Sequence, residues 1–323
     1  MSPITQRRQF LRTAAGAAVA LPFAAAMPAA AGETAQPQSA LRVGMATLGF
    51  SNYTNAELAK ELSAQGIRII QLFLSQTDSR YWKYNSRADL SDLTPDRCQM
   101  IADAYRSAGI TIHSIGVYTN LIHPEAAERE ANLDYFEAMM KIAQTMGVRQ
   151  LVTEAGHFHS NQPEPPVPHH FQEEVWTTMV ATGKELARRA EAHDATVLFE
   201  PFFRGFLASA KRTRVFLEAI DSPRIRALLD PANLLEVNDL EEMFEQLGPW
   251  IECLHAKDRK LHVDRGVPAG QGDLDYERFV TLAAARTPHA PLILEYVGPN
   301  DYQQARNHLL DAVRKSGATV AAD

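Results

Sequence analysis

The chain has few cysteines, no hydrophobic run suited to a membrane span and no block of basic residues in its body. Each absence argues against a class of protein. The two cysteines in 323 residues, Cys98 and Cys253, follow no local spacing pattern, which disfavours a disulfide scaffold and predicts two buried thiols. The net charge of −7 and the lack of a Lys/Arg block in the body argue against an electrostatic grip on nucleic acid. The composition therefore favours a small neutral or polar ligand and no nucleic-acid partner.

The N-terminal segment differs in composition from the rest of the chain and is left out of the predicted fold. Arg7 and Arg8 open a twin-arginine pattern, RRQFLR, and an uncharged, alanine-rich run follows over residues 13–31. That run is too short and too weakly hydrophobic for a membrane span, and it has no cysteine for a lipid anchor. The pattern predicts a signal peptide over 1–31, a linker over 32–40, no stable membrane anchor and export to the periplasm. A frayed, low-complexity terminus is the alternative.

Beyond the linker, short apolar runs alternate with amphipathic runs. Eight such pairs fit within residues 41–318, and the apolar runs are nearly continuous, as in parallel strands that are covered on both faces. Several helical runs end at a glycine, as at Gly66, Gly109 and Gly147, where a left-handed C-cap is needed. The pattern predicts an α/β fold, a single (β/α)8 TIM barrel, followed by a tail over 319–323. A doubly wound open sheet is the alternative, but no glycine-rich phosphate turn follows the first run.

Four successive apolar runs end in a side chain that can bind a metal. These side chains are Glu200, Asp230, His255 and Glu295. Because the carboxyl ends of barrel strands converge on one pocket, we expect the four to meet there. Three carboxylates in one pocket need a compensating cation, so the set predicts a divalent metal: Mn²⁺ first, with Mg²⁺, Co²⁺ and Zn²⁺ as alternatives. The competing interpretation is that each acid caps a helix or pairs with an arginine.

Four further side chains are candidates for substrate contact. They are His113, Glu154, Asn233 and Lys257. The first two close the third and fourth apolar runs, and the last two follow the aspartate and histidine ligands closely. A hydrogen-bonded structural pair is the alternative for the first two. A salt bridge to Asp258 is the alternative for Lys257.

Two loops are rich in ring side chains. Residues 157–170 contain four histidines around a proline-rich stretch, and this loop is predicted to be a lid rather than a second metal site. Tyr81, Trp82 and Tyr84 follow the second apolar run. They are predicted either to stack on a sugar face or to pack their own loop.

The strand-end residues and two short motifs resemble a known family. His-Ala-Lys-Asp at 255–258 and Gly-Gln-Gly-Asp-Leu-Asp-Tyr at 270–276 are similar to motifs of the xylose isomerase-like barrels called sugar phosphate isomerases/epimerases. The resemblance covers residues 41–318. It implies a metal-dependent sugar isomerase or epimerase that removes a proton next to a carbonyl through a metal-stabilised enediolate. It also implies that Glu200 and Glu295 act both as ligands and as acid and base on opposite faces of a sugar or keto-sugar.

The chain departs from this family's pattern in two places. The family's epimerases carry histidine where Asn233 stands, and an amide can bind a hydroxyl but cannot shuttle a proton. The related endonuclease IV pattern needs histidines where Glu154, Asn233 and Gly266 stand, which argues against DNA repair. A lyase or dehydratase that acts on keto-sugars or 3-keto-glycosides by β-elimination, and a non-catalytic sugar-binding barrel, are the alternative functions. A homodimer is left open, because no interface patch stands out.

Overall fold

The computed structural model describes residues 40–158, 168–263 and 266–321. Its centre is a closed barrel of parallel strands. The strands are β1 (Val43–Ala46), β2 (Ile69–Leu72), β3 (Thr111–Gly116), β4 (Gln150–Thr153), β5 (Thr196–Phe199), β6 (Ile225–Leu229), β7 (Ile251–Ala256) and β8 (Leu292–Leu294). The predicted (β/α)8 barrel is confirmed, and the open sheet is excluded, because β8 pairs in parallel with both β1 and β7.

Helices cover the outside of the barrel. They are α1 (Asn55–Ala64), α2 (Pro95–Ser107), α3 (Ala126–Met146), α4 (Glu173–Ala192), α5 (Ala210–Ile220), α7 (Leu240–Leu247), α8 (Tyr276–Arg286) and α9 (Tyr302–Lys315), whereas the short α6 (Pro231–Leu234) follows β6 directly and lies at the carboxyl end of the barrel. Thr54, Thr94 and Ser209 cap α1, α2 and α5 by accepting a backbone N–H of the first turn. Among the described residues, no helix combines the length and the apolar character that crossing a membrane requires.

Two apolar layers hold the barrel together. The larger lies between strands and helices, and the smaller fills the barrel interior with side chains such as Phe73, Leu198 and Ile293. Cys98 lies in the outer layer and Cys253 in the inner one, so both are buried free thiols, as expected. The barrel is thus a packed core rather than a pore, and its cavity lies above the inner layer.

The connections between elements also follow the sequence pattern. Gly147 ends α3 with a φ of 78°, and Gly66 and Gly109 adopt φ values of 70° and 72° after α1 and α2. A residue with a Cβ is strained in this left-handed region, which explains the glycines. The first and last described segments of the barrel also pair, because Ala40–Leu41 lies parallel to Thr319–Val320. The predicted signal peptide and most of the linker lie outside the described residues.

Candidate active site

The four predicted ligands meet at the carboxyl ends of the last four strands. Nδ1 of His255 lies 3.3 Å from Oε1 of Glu200, 3.4 Å from Oε2 of Glu295 and 3.8 Å from Oδ2 of Asp230. One ligand atom from each residue falls within 4.8 Å of the others, and all four residues are buried. Asp230 also accepts the backbone N–H of Asn233 at the start of α6, so the helix-cap interpretation holds for this residue in addition.

The donor chemistry of this cluster fits the predicted metal. Three carboxylates and one imidazole nitrogen are the ligands of a hard to borderline divalent ion. Burial raises the pKa of Glu295, as expected where acids crowd together away from water. Burial alone would lower the pKa of His255, but the carboxylates of Glu295 and Glu200 raise it to about 10. The cluster therefore attracts cations strongly, and its donor atoms fit a divalent ion.

Gln71 holds the imidazole from behind. Nε2 of His255 lies 2.6 Å from Oε1 of Gln71, a fully buried residue of β2. The hydrogen bond between Nε2 and Gln71 orients the imidazole so that Nδ1 points toward the carboxylates. Gln71 was not among the residues predicted from the sequence. Its signal is a glutamine in the middle of an apolar run, IRIIQLFL.

Glu200 is fixed by two neutral donors. The hydroxyl of Tyr118 donates to Oε2 at 2.6 Å, and Nδ2 of Asn233 donates to Oε1 at 2.8 Å. Burial alone would raise the pKa of Glu200, but the charge and hydrogen bond of His255 lower it. Asn233, predicted to contact substrate, is thus a direct partner of a ligand carboxylate. Tyr118 was also missed, although it follows the third strand in the sequence.

Lys257 lies beside the cluster and not beside its sequence neighbour. Its Nζ is 2.7 Å from Oδ2 of Asp230 and 3.0 Å from Oε2 of Glu295, and it sits 4.5 Å from the ring centroid of Tyr296. Burial alone would lower the pKa of Lys257, but the two carboxylates hold it well above its usual range. The alternative salt bridge to Asp258 is therefore wrong, because that carboxylate is engaged elsewhere.

Asp258 organises the second sequence motif. Its carboxylate accepts the backbone N–H groups of Arg259, Gly270 and Leu274 at 2.8, 3.2 and 3.0 Å. A Cβ on Gly272 would lie 2.3 Å from Oδ1 of Asp258, so only glycine allows the loop to approach this closely. The two motifs are therefore one structural unit that holds the loop between β7 and α8.

A cavity of about 600 Å³ opens above the cluster. Glu200, Glu295, Asn233, Lys257 and Glu154 contribute its polar lining. The apolar lining is rich in aromatic rings, which are those of Phe73, Trp82, Tyr84, Tyr118, Phe202 and Tyr296. Apolar rings beside a few converging polar groups are typical of a small-molecule site.

Glu154 occupies the wall of this cavity. The hydroxyl of Tyr84 donates to its Oε2 at 2.7 Å and lies 3.3 Å from Nε2 of His157. Burial, with the nearby charge of Glu200, raises the pKa of Glu154 to about 7. Glu154 therefore lies in the cavity wall, where it can carry or release a proton near neutral pH, and its contact with a substrate stays a prediction.

His113 is placed differently from the expectation. It does not close the third strand, because β3 continues to Gly116, and a register shift opposite Ile70 and Gln71 places a bulge at this point. His113 is not among the described residues that line the cavity. Burial lowers its pKa to about 4, which keeps the imidazole neutral in the barrel wall.

The two ring-rich loops divide between cavity and core. Trp82 and Tyr84 line the cavity, whereas Tyr81 packs in the outer apolar layer. Nε2 of His170 accepts the backbone N–H of Phe158 at 3.2 Å, so this histidine secures the end of its loop. Most of the predicted lid, residues 159–167, lies outside the described residues.

Comparison with known proteins places this geometry in a family. No curated protein sequence matches the chain, but several solved structures share its fold. The 3-keto-D-glucoside 4-epimerase from E. coli has a TM-score of 0.65 and 15% identity, covering 85% of this chain and 99% of that one. The probable 3-DHS dehydratase from Bacillus anthracis has a TM-score of 0.66 and 16% identity, covering 83% and 97%. The IOLI protein, solved with a zinc atom, has a TM-score of 0.68 and 16% identity, covering 85% and 99%.

At these identities the solved structures establish the fold alone. The sequence profile described as xylose isomerase-like TIM barrel matches residues 57–314, most of the chain. That span includes all four residues of the buried cluster and both motifs of the loop after β7. The chain belongs to the xylose isomerase-like TIM barrel family.

Proposed function

We propose that this protein is a metal-dependent sugar isomerase or epimerase that removes a proton from the carbon next to a sugar carbonyl. The observation that carries the proposal is the buried cluster of Glu200, Asp230, His255 and Glu295 at the floor of an aromatic-lined cavity. Two of these carboxylates, Glu200 and Glu295, also line the cavity itself. The names of two similar structures, a 3-keto-D-glucoside 4-epimerase and a probable 3-DHS dehydratase, support this class of chemistry.

The residues divide into holding and reacting roles. Glu200, Asp230, His255 and Glu295 hold the divalent ion, Mn²⁺ in this proposal, which supplies Lewis-acid polarisation of a carbonyl and its neighbouring hydroxyl. Glu200 and Glu295 take and return the proton from the two sides of the sugar. Glu154 and Lys257 bind hydroxyl groups at the cavity wall. Return of the proton to the other face gives an epimer, and its return to the neighbouring carbon gives an isomer.

A lyase that acts on keto-glycosides is the second candidate, and the size of the cavity favours it. One six-membered sugar takes up less than about 360 Å³, since each of its roughly twelve heavy atoms occupies less than the ~30 Å³ share of a water molecule. The cavity of about 600 Å³ leaves room for a second group beside the sugar. Trp82 and Phe202 can stack on that group. The same proton abstraction then ends in loss of a substituent rather than in proton return.

The test measures proton abstraction separately from the final product. The full-length protein is incubated in D₂O with Mn²⁺ and a panel of ketoses and 3-keto-glycosides, and NMR follows deuterium at the carbon next to the carbonyl. We expect exchange in the wild type and its loss in Glu200→Gln and in Glu295→Gln. The products then assign the reaction as epimerisation, isomerisation or elimination.

Glu252→Gln is the matched control. Glu252 lies in β7 like His255, but it pairs with Arg226 on the barrel's outer side and should leave exchange unchanged. Metal content of the purified wild type is measured in parallel. A wild type that refuses Mn²⁺, Mg²⁺, Co²⁺ and Zn²⁺ would refute the enzyme proposal. Sugar binding that survives both carboxylate substitutions, without exchange in any variant, would identify a binding protein instead.

We also propose that the protein is exported to the periplasm by the twin-arginine route. The support is the RRQFLR pattern with the alanine-rich run after it. Because this route carries folded proteins, a metal can be loaded before export. Cell fractionation of the wild type and of an Arg7→Lys/Arg8→Lys variant tests the proposal. Equal periplasmic amounts of both would contradict it.

A further inference from the structure

Lys257 and the candidate metal site share ligand atoms. The ammonium contacts Oδ2 of Asp230 and Oε2 of Glu295, at 2.7 and 3.0 Å. The same two oxygens are the ones within 4 Å of Nδ1 of His255. A divalent ion placed between the imidazole and the carboxylates would take these oxygens too. The ammonium and a divalent ion would compete for these oxygens, because like charges this close repel each other.

The surroundings of Lys257 offer the ammonium a second position, on the cavity side. Lys257 lines the cavity, and its Nζ lies over the ring of Tyr296, whose face attracts a cation. Tyr296 is about half exposed and lines the same cavity. A rotation of the flexible lysine stem toward the cavity keeps the cation–ring contact while releasing the carboxylates.

We infer that Lys257 is a built-in counter-cation that holds Asp230 and Glu295 until a divalent ion displaces it toward the cavity, where the ammonium becomes available to a substrate oxygen. This inference rests on the divalent-metal site of the proposed function. It adds that metal binding and the position of Lys257 are coupled. Metal binding would thereby position the reacting carboxylates and also free the ammonium of Lys257 to contact the substrate.

The charges at the site agree with this arrangement. Three carboxylates and one ammonium carry two net negative charges, which a divalent ion neutralises when His255 binds it as a neutral imidazole. Without Lys257 the cluster keeps an extra negative charge and binds a divalent ion more tightly. Loss of the ammonium also raises the affinity of the carboxylates for protons. The electrostatic gain is twice as large for a divalent ion as for a proton, because the ion carries twice the charge. The lysine therefore lowers metal affinity in return for an ordered, charge-balanced pocket.

The test compares Lys257→Met with the wild type in metal affinity and in thermal stability. Isothermal titration of EDTA-treated full-length protein with Mn²⁺ at pH 8 should give at least tenfold tighter binding for Lys257→Met. In EDTA the variant should unfold several degrees below the wild type, since three carboxylates lose their counter-cation. In saturating Mn²⁺ this gap should close. Both readouts are independent of turnover.

Tyr118→Phe is the matched control, because it removes a neutral donor from Glu200 and leaves the charge unchanged. We expect its Mn²⁺ binding to weaken rather than tighten, because a ligand carboxylate loses a hydrogen-bond donor while the charge of the site stays the same. Equal or weaker Mn²⁺ binding by Lys257→Met would overturn the inference while leaving the metal site intact. A wild type that binds no divalent ion would overturn both this inference and the proposed function.

Discussion

Replacing Gln71 with leucine tests whether the barrel interior orients the metal ligand. Gln71 is fully buried, and its Oε1 lies 2.6 Å from Nε2 of His255. Leucine has a similar volume and fits the apolar interior, so the substitution removes the hydrogen bond with little change in packing. The imidazole N–H is left without an acceptor, which costs about 1–3 kcal/mol in a buried site.

That cost should appear in metal affinity as well as in stability. Removing the hydrogen-bond partner of a ligating histidine typically weakens metal binding about 10- to 100-fold. In free energy this is about 1.4–2.8 kcal/mol. We expect Gln71→Leu to bind Mn²⁺ weaker by this factor, because His255 no longer holds Nδ1 toward the carboxylates. Isothermal titration of EDTA-treated protein measures it.

Gln76→Leu is the control. Gln76 is also a fully buried glutamine near the barrel mouth, but its Nε2 donates to the carbonyl of Thr47 at 3.1 Å. Its replacement should lower thermal stability and leave Mn²⁺ affinity unchanged. Wild-type affinity in Gln71→Leu, with folding intact, would refute the role assigned to this residue. Equal weakening in both variants would mean that the effect follows from general loosening of the barrel.

Three further predictions concern stability. Burial raises the pKa of Glu154, so folding disfavours its ionised form and the stability of the wild type falls as pH rises from about 4.5 to 7. Glu154→Gln should therefore be more stable than the wild type by about 2 kcal/mol at pH 8 and equally stable at pH 4, as measured by urea unfolding. Arg189 is nearly buried and pairs with four carboxylates of α3 and α4, so Arg189→Met should lower the free energy of unfolding by about 2 kcal/mol. Arg188 is exposed, and an equal loss of stability in Arg188→Met would contradict this expectation. Gly272→Ala should cost about 1–3 kcal/mol by crowding its loop, whereas Gly248→Ala, with open space around it, should be nearly neutral in a thermal melt.

The barrel and its four ligands could be predicted because each depends on a local pattern with a single structural outcome. Nearly continuous apolar runs separated by amphipathic ones leave few arrangements other than parallel strands under helices. A polar residue at the carboxyl end of such a strand must face the same pocket as its counterparts. Glu200, Asp230, His255 and Glu295 were therefore predictable without any knowledge of their partners.

The partners themselves depend on which side chains face one another across the barrel. Gln71 meets His255 although the two are far apart in sequence and their strands are not adjacent. Tyr118 reaches Glu200 in the same way, from the segment after β3. His113 was misplaced because a bulge in β3 shifts the alternation of side chains, and no turn residue in the sequence marks that bulge. Register, rather than composition, decided these three positions.

The neighbouring residues Lys257 and Asp258 explain why the shared motif identifies the scaffold and not the substrate. Consecutive side chains of an extended chain point to opposite sides, so Lys257 reaches the carboxylate cluster while Asp258 accepts three backbone N–H groups of the following loop. One half of the motif thus balances charge and the other half shapes a turn. Neither contact depends on the ligand that the cavity takes. We expect substrate choice to depend more on the loop residues of the cavity wall, such as Trp82 and Phe202.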